Sequence, residues 1–148
     1  MSEPVIEISK LLGFAWKKHK GQLDDEGLPY YWAHLWPVYK ILNIIAPNDV
    51  GLQCAGLLHD TLEDTDTTYE ELVENFGEDI ANLVHEVTRE GEKDDYGYYY
   101  PRLHSPRAII LKFADRLSNI SRMSAWPPER RAQYLRRSKF WRSPPTED

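Results

Sequence analysis

Apolar residues recur every three or four positions along most of the chain, a spacing that places side chains on one face of an α-helix. The first such segment covers residues 4 to 19, and we expect its helix to end near His19. After a loop rich in glycine, proline and acidic residues, a second helix is expected to begin around Pro37 and to close before Pro47. His34 stands just before this second helix.

The middle of the chain predicts three more helices, each with its own start or stop signal. The pair Asn48-Asp49 can cap the helix that leads into the apolar run Cys54–Leu58. The pair Thr67-Thr68 precedes two glutamates by three residues each, which is the spacing of a capping box, and Gly77 is a natural stop. A further helix is expected over residues 79 to 90.

The residues from 91 to 104 are rich in glycine, aspartate and tyrosine, and this composition is typical of a loop. The tyrosines of this loop could stack on a nucleobase or pack over the core as ordinary surface; they are Tyr96, Tyr98, Tyr99 and Tyr100.

Ser105-Pro106 is a suitable start for a long helix with two distinct faces. Its predicted core-facing residues are Ile109, Ile110, Phe113, Ala114, Leu117 and Ile120. Its polar face carries Lys112, Asp115, Arg116 and Asn119. A basic helix, which we expect to be a solvated face, follows Trp126-Pro127-Pro128; it carries Arg130, Arg131, Arg136, Arg137, Lys139 and Arg142.

No segment of the chain predicts a β-strand, so helices joined by short loops indicate an all-α bundle. A length of 148 residues suits one domain with a sizeable core. We expect that domain to cover residues 1–142, with a polar tail over 143–148.

Charge and composition exclude several classes of protein. There are 18 Lys and Arg against 24 Asp and Glu, and the net charge of -6 argues against a nucleic-acid binder while leaving a nucleotide substrate open. The single cysteine, Cys54, excludes an internal disulfide. No apolar run reaches the ~20 residues that span a bilayer, and the N-terminus lacks a signal peptide, so we expect a cytoplasmic protein without membrane contact. The oligomeric state stays open.

The stretch from Leu57 to Asp64 places four titratable groups directly after a wholly apolar approach. His59 and Glu63 are four residues apart, as are Asp60 and Asp64, so one helical turn could point both pairs at one cavity. Buried carboxylates need partners, and a bound cation is a usual one. The alternative is that His59 caps the helix and the acids form a solvated turn.

These residues belong to a longer ordered pattern. It comprises His19-x-Gly21-Gln22, Pro29-Tyr30 followed by His34, Leu58-His59-Asp60-Thr61-x-Glu63-Asp64, Phe76-Gly77, and Lys112-Phe113-Ala114-Asp115-Arg116-Leu117-x-Asn119. Over roughly residues 8 to 140 the chain resembles the HD superfamily of metal-dependent phosphohydrolases. Within that superfamily it is similar to the hydrolase domain of the RelA/SpoT proteins and to the small alarmone hydrolases. The expected fold is therefore the HD-domain helical bundle.

The resemblance implies one divalent ion held by His34, His59, Asp60 and Asp115. Mixed nitrogen and oxygen ligands suit Mn²⁺ or another first-row ion better than Ca²⁺. Purely structural roles remain open for two of these residues: His34 could cap the next helix, and Asp115 could simply pair with Lys112 or Arg116.

Three other residues of the pattern have expected roles. Glu63 and Asp64 would orient the attacking water or take its proton. Asn119 would hold the substrate or the metal-bound water, although it could instead cap its own helix. Lys112 and Arg116 lie beside Asp115 on the same helix, and this position rather than the resemblance makes them the cations expected to bind the substrate. His19 and Gln22 could support the site from nearby or could simply lie on the surface.

The expected substrate is a small-molecule nucleotide, most specifically a guanosine tetra- or pentaphosphate (ppGpp) that loses its 3′-pyrophosphate. Two departures bear on that expectation, because the relatives carry an Arg-Lys pair where this chain has Asp24-Asp25-Glu26, and Leu35 replaces a proline after the histidine. Alternatives are hydrolysis of another nucleotide and a regulatory module without turnover.

Overall fold

A computed structural model describes residues 6–94 and 97–138. The α-helices are α1 (Ile8–Lys18), α2 (Trp36–Ile45), α3 (Val50–Leu58), α4 (Thr61–Asp64), α5 (Tyr69–Phe76), α6 (Glu78–Glu86), α7 (Pro106–Ser121) and α8 (Pro128–Arg137). A π-helical turn (Tyr31–Leu35) precedes α2, and a 3₁₀ turn (Met123–Ala125) precedes α8. A hairpin of β1 (Glu90–Asp94) and β2 (Gly97–Tyr99) separates α6 from α7. The predicted all-α bundle is thus confirmed.

Helix α3 is the central element, and its residues from Leu52 to Leu58 are all buried. It packs against α1, α2, α6 and α7. The approach of α2 depends on Gly56, because a Cβ there would collide with the Leu42 side chain. Since α3 ends inside the bundle, the histidine and aspartate that follow it are buried as well.

Side-chain caps begin three helices where the sequence predicts them. Asp49 accepts a hydrogen bond from the Leu52 amide (3.0 Å), and Thr68 and Ser105 cap α5 and α7 in the same way. Gly77 has φ of 91°, a left-handed conformation that glycine adopts readily, and it separates α5 from α6. The first helix ends at Lys18 with His19 as its cap, as expected.

The second helix differs from expectation, because His34 lies inside a helical turn rather than before one. The Trp36 amide bonds to the Tyr31 carbonyl, five residues back, and α2 continues without a break. In an ordinary α-helix the Pro37 ring would clash with the carbonyl of Ala33, and the wider π turn relieves that clash. His34 is consequently held by continuous backbone and is 1% exposed.

The predicted core face of α7 is wrong for four of its six residues, since only Ala114 is buried and Ile109 half-buried as a core face requires. Its large apolar residues Ile110, Phe113, Leu117 and Ile120 are all exposed, by 39–53%. The buried residues are Ala108, Leu111, Lys112, Ala114, Asp115 and Ser118. Small residues let this face lie close to its neighbours, and its polar residues reach partners on other elements. Hydrophobic periodicity cannot detect a helix that buries its charges.

The segment between α6 and α7 also differs, because it contains a hairpin where a loop is expected. Helix α6 ends at Glu86 rather than near residue 90, and Glu90 pairs with Tyr99 across the antiparallel strands. Tyr96 lies outside the described residues.

The basic helix α8 ends at Arg137, and Lys139, Arg142 and the expected tail over 143–148 lie outside the described residues. Within residues 6–94 and 97–138, no helix is both long and apolar enough to cross a bilayer.

The cap of α3 yields a test of the packing between α3 and α7. Asp49 also forms an ion pair with Arg107 (2.8 Å), and this hydrogen bond lowers the pKa of Asp49. We expect Asp49→Ala to reduce the free energy of unfolding by about 1 kcal/mol or more, the usual cost of losing a cap. Asp49→Asn keeps the cap and loses only the charge.

A carboxylate with a lowered folded-state pKa stabilises the fold above its ordinary pKa, and this stabilisation is lost as pH falls through the folded value. Urea unfolding at pH 7 should therefore separate wild type from Asp49→Asn, and the difference should shrink below about pH 4. A difference that is independent of pH would contradict the role of the ion pair. Asp66→Asn is the exposed control.

Candidate active site

Two histidines and two aspartates from three parts of the chain meet in the interior. His34 comes from the π-helical turn, His59 and Asp60 follow α3, and Asp115 lies on α7. The His34 Nε2 atom is 2.9 Å from Asp115 Oδ1 and 3.2 Å from His59 Nε2. The His59 Nε2 atom is 3.1 Å from Asp60 Oδ2 and 3.3 Å from Asp115 Oδ1. All four residues expected as metal ligands are thus brought together.

The other ring nitrogen of each histidine is engaged away from this cluster. His59 Nδ1 is 2.6 Å from the Gly56 carbonyl and can only donate to it, so in the neutral ring the lone pair lies on Nε2, which faces the cluster. His34 Nδ1 lies 3.1 Å from the Ser118 hydroxyl. Such partners are typical of metal-binding histidines, because they hold the ring in the orientation that the metal requires.

The local charges favour ionised carboxylates. Burial acts to raise the pKa of Asp115, but the Lys112 ammonium and the two imidazoles lower it well below its usual range. Burial likewise opposes a low pKa at Asp60, and the imidazoles of His59 and His34 outweigh it. Burial lowers the pKa of His59, whereas both carboxylates raise it, and the net effect is a raised pKa. The cluster therefore places two negative charges against two imidazole rings.

The donor spacing fits a divalent cation. Ligand atoms bound at about 2.1 Å in tetrahedral or octahedral geometry lie roughly 3.0–3.4 Å from one another. The distances between the facing atoms here run from 2.9 to 3.6 Å, the longest joining His34 Nε2 to Asp60 Oδ2. His34, His59 and Asp115 form a buried group of the kind that holds a metal. The pairing of Asp115 with Lys112 and Arg116 is compatible with this role, since it uses Oδ2 and leaves Oδ1 toward the histidines.

Tyr30 supports the cluster from the side of the loop before the π-helical turn. Its hydroxyl donates a short hydrogen bond to Asp60 Oδ2. Its ring packs between His19 and His34, with centroid separations of 5.8 and 5.2 Å. Burial and the Asp60 charge raise the pKa of Tyr30, so the phenol remains a donor. The sequence pattern contains Tyr30, but we did not expect it to contact a ligand residue.

Glu63 lines the cavity beside the cluster, and its carboxylate is held on both oxygens. The Arg89 backbone amide donates to Oε1 (2.6 Å), and the Arg89 guanidinium donates to Oε2 (2.7 Å). Burial and the Asp60 charge raise the pKa of Glu63, against the lowering effect of Arg89. A carboxylate of raised pKa that faces the cluster has the properties of a general base.

Asp64 occupies a different environment from Glu63. It is exposed, and Gln22 Nε2 donates to its carboxylate (3.2 Å). The side-chain oxygen of Gln22, Oε1, is in turn 2.7 Å from Nδ1 of the buried His19. Because Asp64 does not line the cavity of the cluster, the structure separates the two acids that the sequence places side by side.

The three residues expected to bind substrate all line this cavity, which has a volume of about 210 Å³. Lys112 is buried, and its ammonium lies 3.1 Å from Asp115 Oδ2 and 3.9 Å from the centre of the Tyr100 ring. Arg116 pairs with the same Asp115 oxygen at 3.3 Å. Asn119 donates to the Tyr134 hydroxyl (3.0 Å).

Several lining residues are not among those predicted to bind metal, to bind substrate or to act in catalysis, although the sequence leaves nucleobase stacking open for Tyr98 and Tyr100. These lining residues are Tyr30, Arg89, Tyr98, Tyr100, Tyr134 and Arg137. The last helix, expected to be a solvated face, does reach the cavity. Arg130, Tyr134 and Arg137 are separated by four and three residues, so they share one face of the helix. That spacing could have identified Tyr134 and Arg137 as neighbours in the cavity wall. Nothing in the sequence indicates Arg89.

A second cavity of about 360 Å³ adjoins the first, since Tyr30, Asn119 and Tyr134 line both. The acidic loop Asp24-Asp25-Glu26 forms part of its wall, and Trp126 forms another part.

The first two acids of this loop are paired with arginines. Asp24 is 3.1 Å from Arg122 and also accepts the Leu28 amide (2.8 Å), while Asp25 pairs with Arg130. Two of the three acids of the loop are therefore partly neutralised by ion pairs with arginine.

A family model described as "HD domain" matches residues 12–96 of the chain. The match covers more than half of the sequence and includes three of the four clustered residues. The chain belongs to the HD-domain family.

Several named proteins are similar in sequence to this HD-domain chain. It is 36% identical over 137 residues to a guanosine-3′,5′-bis(diphosphate) 3′-pyrophosphohydrolase, MESH1, of Xenopus tropicalis, covering 87% of this chain and 76% of that protein. The human MESH1 is 35% identical with the same coverage. A guanosine-3′,5′-bis(diphosphate) 3′-pyrophosphohydrolase of Aquifex aeolicus is 39% identical over 133 residues, which is 84% of this chain. That protein is much longer, and the chain spans only 19% of its length.

The fold agrees with a solved structure. A metazoan orthologue of SpoT, described as hydrolysing ppGpp, superposes with a TM-score of 0.77 at 33% identity, over 94% of this chain and 85% of the other.

If the cluster binds a divalent metal as expected, His59→Ala or Asp60→Ala should abolish that binding in this HD domain, because each variant deletes one of the four side chains expected to hold the ion. We expect the metal content, measured after dialysis against Mn²⁺ and then buffer, to fall about tenfold or more. His85→Ala, on α6 and outside the cluster, is the control. Full metal content in either cluster variant would contradict the assignment.

Proposed function

We propose that this chain is a metal-dependent phosphohydrolase that removes the 3′-pyrophosphate of guanosine 3′,5′-bis(diphosphate) and its pentaphosphate analogue. The observation that carries the proposal is the cluster of four ligand residues, which opens into a cavity surrounded by cationic side chains. The relatives named for this reaction support the choice of substrate.

His34, His59, Asp60 and Asp115 would hold one divalent cation, for which we propose Mn²⁺. When bound, such a cation acts as a Lewis acid on a phosphoryl oxygen and lowers the pKa of water. The residues around it hold their ligand atoms in place before any cation arrives. The Tyr30 hydroxyl holds the Asp60 carboxylate. The Gly56 carbonyl orients the His59 ring, and the Ser118 hydroxyl orients the His34 ring. Lys112 binds Oδ2 of Asp115, the oxygen that does not face the histidines.

Glu63 is the residue we assign to proton removal from the attacking water. Each carboxylate oxygen can accept two hydrogen bonds, and Arg89 uses one position on each, so both oxygens keep a free position. Asp64 is exposed and held by Gln22, and we assign it a supporting role at the rim of the site.

Positive charge in the cavity suits a pyrophosphate. Arg89, Lys112, Arg116 and Arg137 all line it. Lys112 and Arg116 already share Asp115 as a partner, so they would bind phosphate oxygens while remaining paired with that carboxylate. Asn119 stands between the two cavities and can donate or accept there. We propose that Lys112, Arg116, Asn119 and Arg137 bind the group that is removed.

The adjoining cavity is the place we propose for the nucleoside. Its volume suits a base and ribose, and Trp126 offers an aromatic face for stacking. The acids in its wall, Asp24, Asp25 and Glu26, also favour a second candidate, hydrolysis of another nucleotide, because carboxylates repel a highly charged bis-diphosphate. A silent regulatory module is less well supported, since a binder does not need Glu63 in the cavity.

Glu63→Gln tests the assignment of the general base. We expect this variant to keep its fold and metal but to lose a factor of ~10² or more in kcat, because the amide cannot take a proton. The measurements are steady-state kinetics, metal content and thermal unfolding. Near-normal turnover would transfer the role to Asp64, and Asp64→Asn made in parallel provides the comparison.

The substrate is tested by a hydrolysis panel under one set of Mn²⁺ conditions. We expect kcat/KM for the 3′-pyrophosphorylated guanosine nucleotide to exceed that for nucleoside mono- and triphosphates by about 10² or more, because those compounds lack the group that the cationic cavity binds. Raising the salt concentration should increase KM, since charge contributes to binding. A preference for ordinary nucleotides would refute the alarmone assignment and leave the metal site intact.

A further inference from the structure

Arg89 joins the helical bundle to the hairpin at a point where the chain passes beside the catalytic cavity. It lies between the end of α6 and the start of β1. Both its backbone amide and its guanidinium bind Glu63, and the guanidinium carbon lies 4.4 Å from the centre of the Tyr98 ring on β2. One residue therefore connects the proposed general base to the hairpin.

The environment of this pair makes the contact strong. The Glu63 side chain is 9% exposed and the Arg89 side chain is 32% exposed, so water competes weakly for the carboxylate. A charge-assisted hydrogen bond in such surroundings is stronger than a neutral one, and the second bond from the backbone amide restricts rotation of the carboxylate. Without the guanidinium, the backbone amide would hold only one oxygen.

Tyr98 in turn limits where the guanidinium can go. A cation over an aromatic face is attracted by the ring, and β2 is tied to β1 by the pairing of Glu90 with Tyr99. The contact with Tyr98 on the hairpin thus favours the position of the guanidinium beside Glu63 over a position in solvent.

We propose that Arg89 is a positioning residue, which acts through Glu63 by keeping its carboxylate aimed at the attacking water, with Tyr98 holding Arg89. This inference rests on the proposed function for its kinetic consequence, but the contact itself can be tested separately. It differs from a role in substrate binding, which the position of Arg89 in the cavity wall would also allow.

The two roles predict different kinetics. A positioning residue changes kcat and leaves KM within about twofold, whereas a direct phosphate ligand raises KM. We expect Arg89→Ala to lower kcat about tenfold, with Arg89→Lys intermediate because it keeps a charge but loses the planar donor pair. Arg136→Ala, on an exposed part of α8, is the matched control and should behave as wild type.

A double-mutant cycle then separates the alternatives. If Arg89 acts through Glu63, Arg89→Ala should have almost no effect on kcat in a Glu63→Gln background. The same tenfold loss in that background, a rise in KM instead of a fall in kcat, or an unchanged kcat in the single variant would each overturn the inference.

Unfolding measurements make the inference independent of the substrate. The same four proteins, unfolded by urea, should show non-additive midpoints, with Arg89→Ala lowering the midpoint less when Glu63 is already Gln. A wild-type protein that hydrolyses no nucleotide would overturn the proposed function alone, and the unfolding cycle would then decide the inference. Additive midpoints would show that the two side chains are not coupled, and would refute it.

Discussion

The carboxylate of Asp115 lies in the interior of the bundle with one oxygen toward His34 and His59 and the other toward Lys112. Buried charges are stable only when each has a partner, because removing an ion from water costs several kcal/mol after relaxation. The rest of the structure is organised around that requirement. Helix α7 turns its charged residues inward and exposes large apolar ones, and the π-helical turn brings His34 into reach.

The same requirement explains why each ligand residue has a partner behind it. The Gly56 carbonyl and the Ser118 hydroxyl engage the Nδ1 atoms of His59 and His34, which face away from the cluster, and the Tyr30 hydroxyl donates to Asp60 Oδ2. These contacts reduce the freedom of the four side chains, so little ordering would remain when a cation binds. Helix packing and hydrogen bonding thus prepare the site as one unit.

Charge in the surrounding cleft is nearly balanced rather than simply positive. Asp24 pairs with Arg122 across 98 residues of sequence, and Asp25 pairs with Arg130 on α8. A chain of net charge -6 can therefore present cations to a pyrophosphate in one cavity while carboxylates line the next.

Local patterns in the sequence determined the helices, their caps at Asp49, Thr68 and Ser105, and the grouping of His59 with Asp60 after a buried helix. These features depend on neighbours within one or two turns, so spacing and residue type suffice to predict them. The motif resemblance also predicted the four residues proposed as metal ligands, and the fold brings these four side chains together.

Only the tertiary structure decided which face of α7 is buried, where His34 lies in its turn, and how Glu63 and Asp64 differ. It also decided that Arg89 binds Glu63, 26 residues earlier in the chain. Such pairings depend on how helices and the hairpin pack in three dimensions. Periodicity reports only an average preference for the core, so it cannot detect a charged side chain whose burial is stabilised by a distant partner.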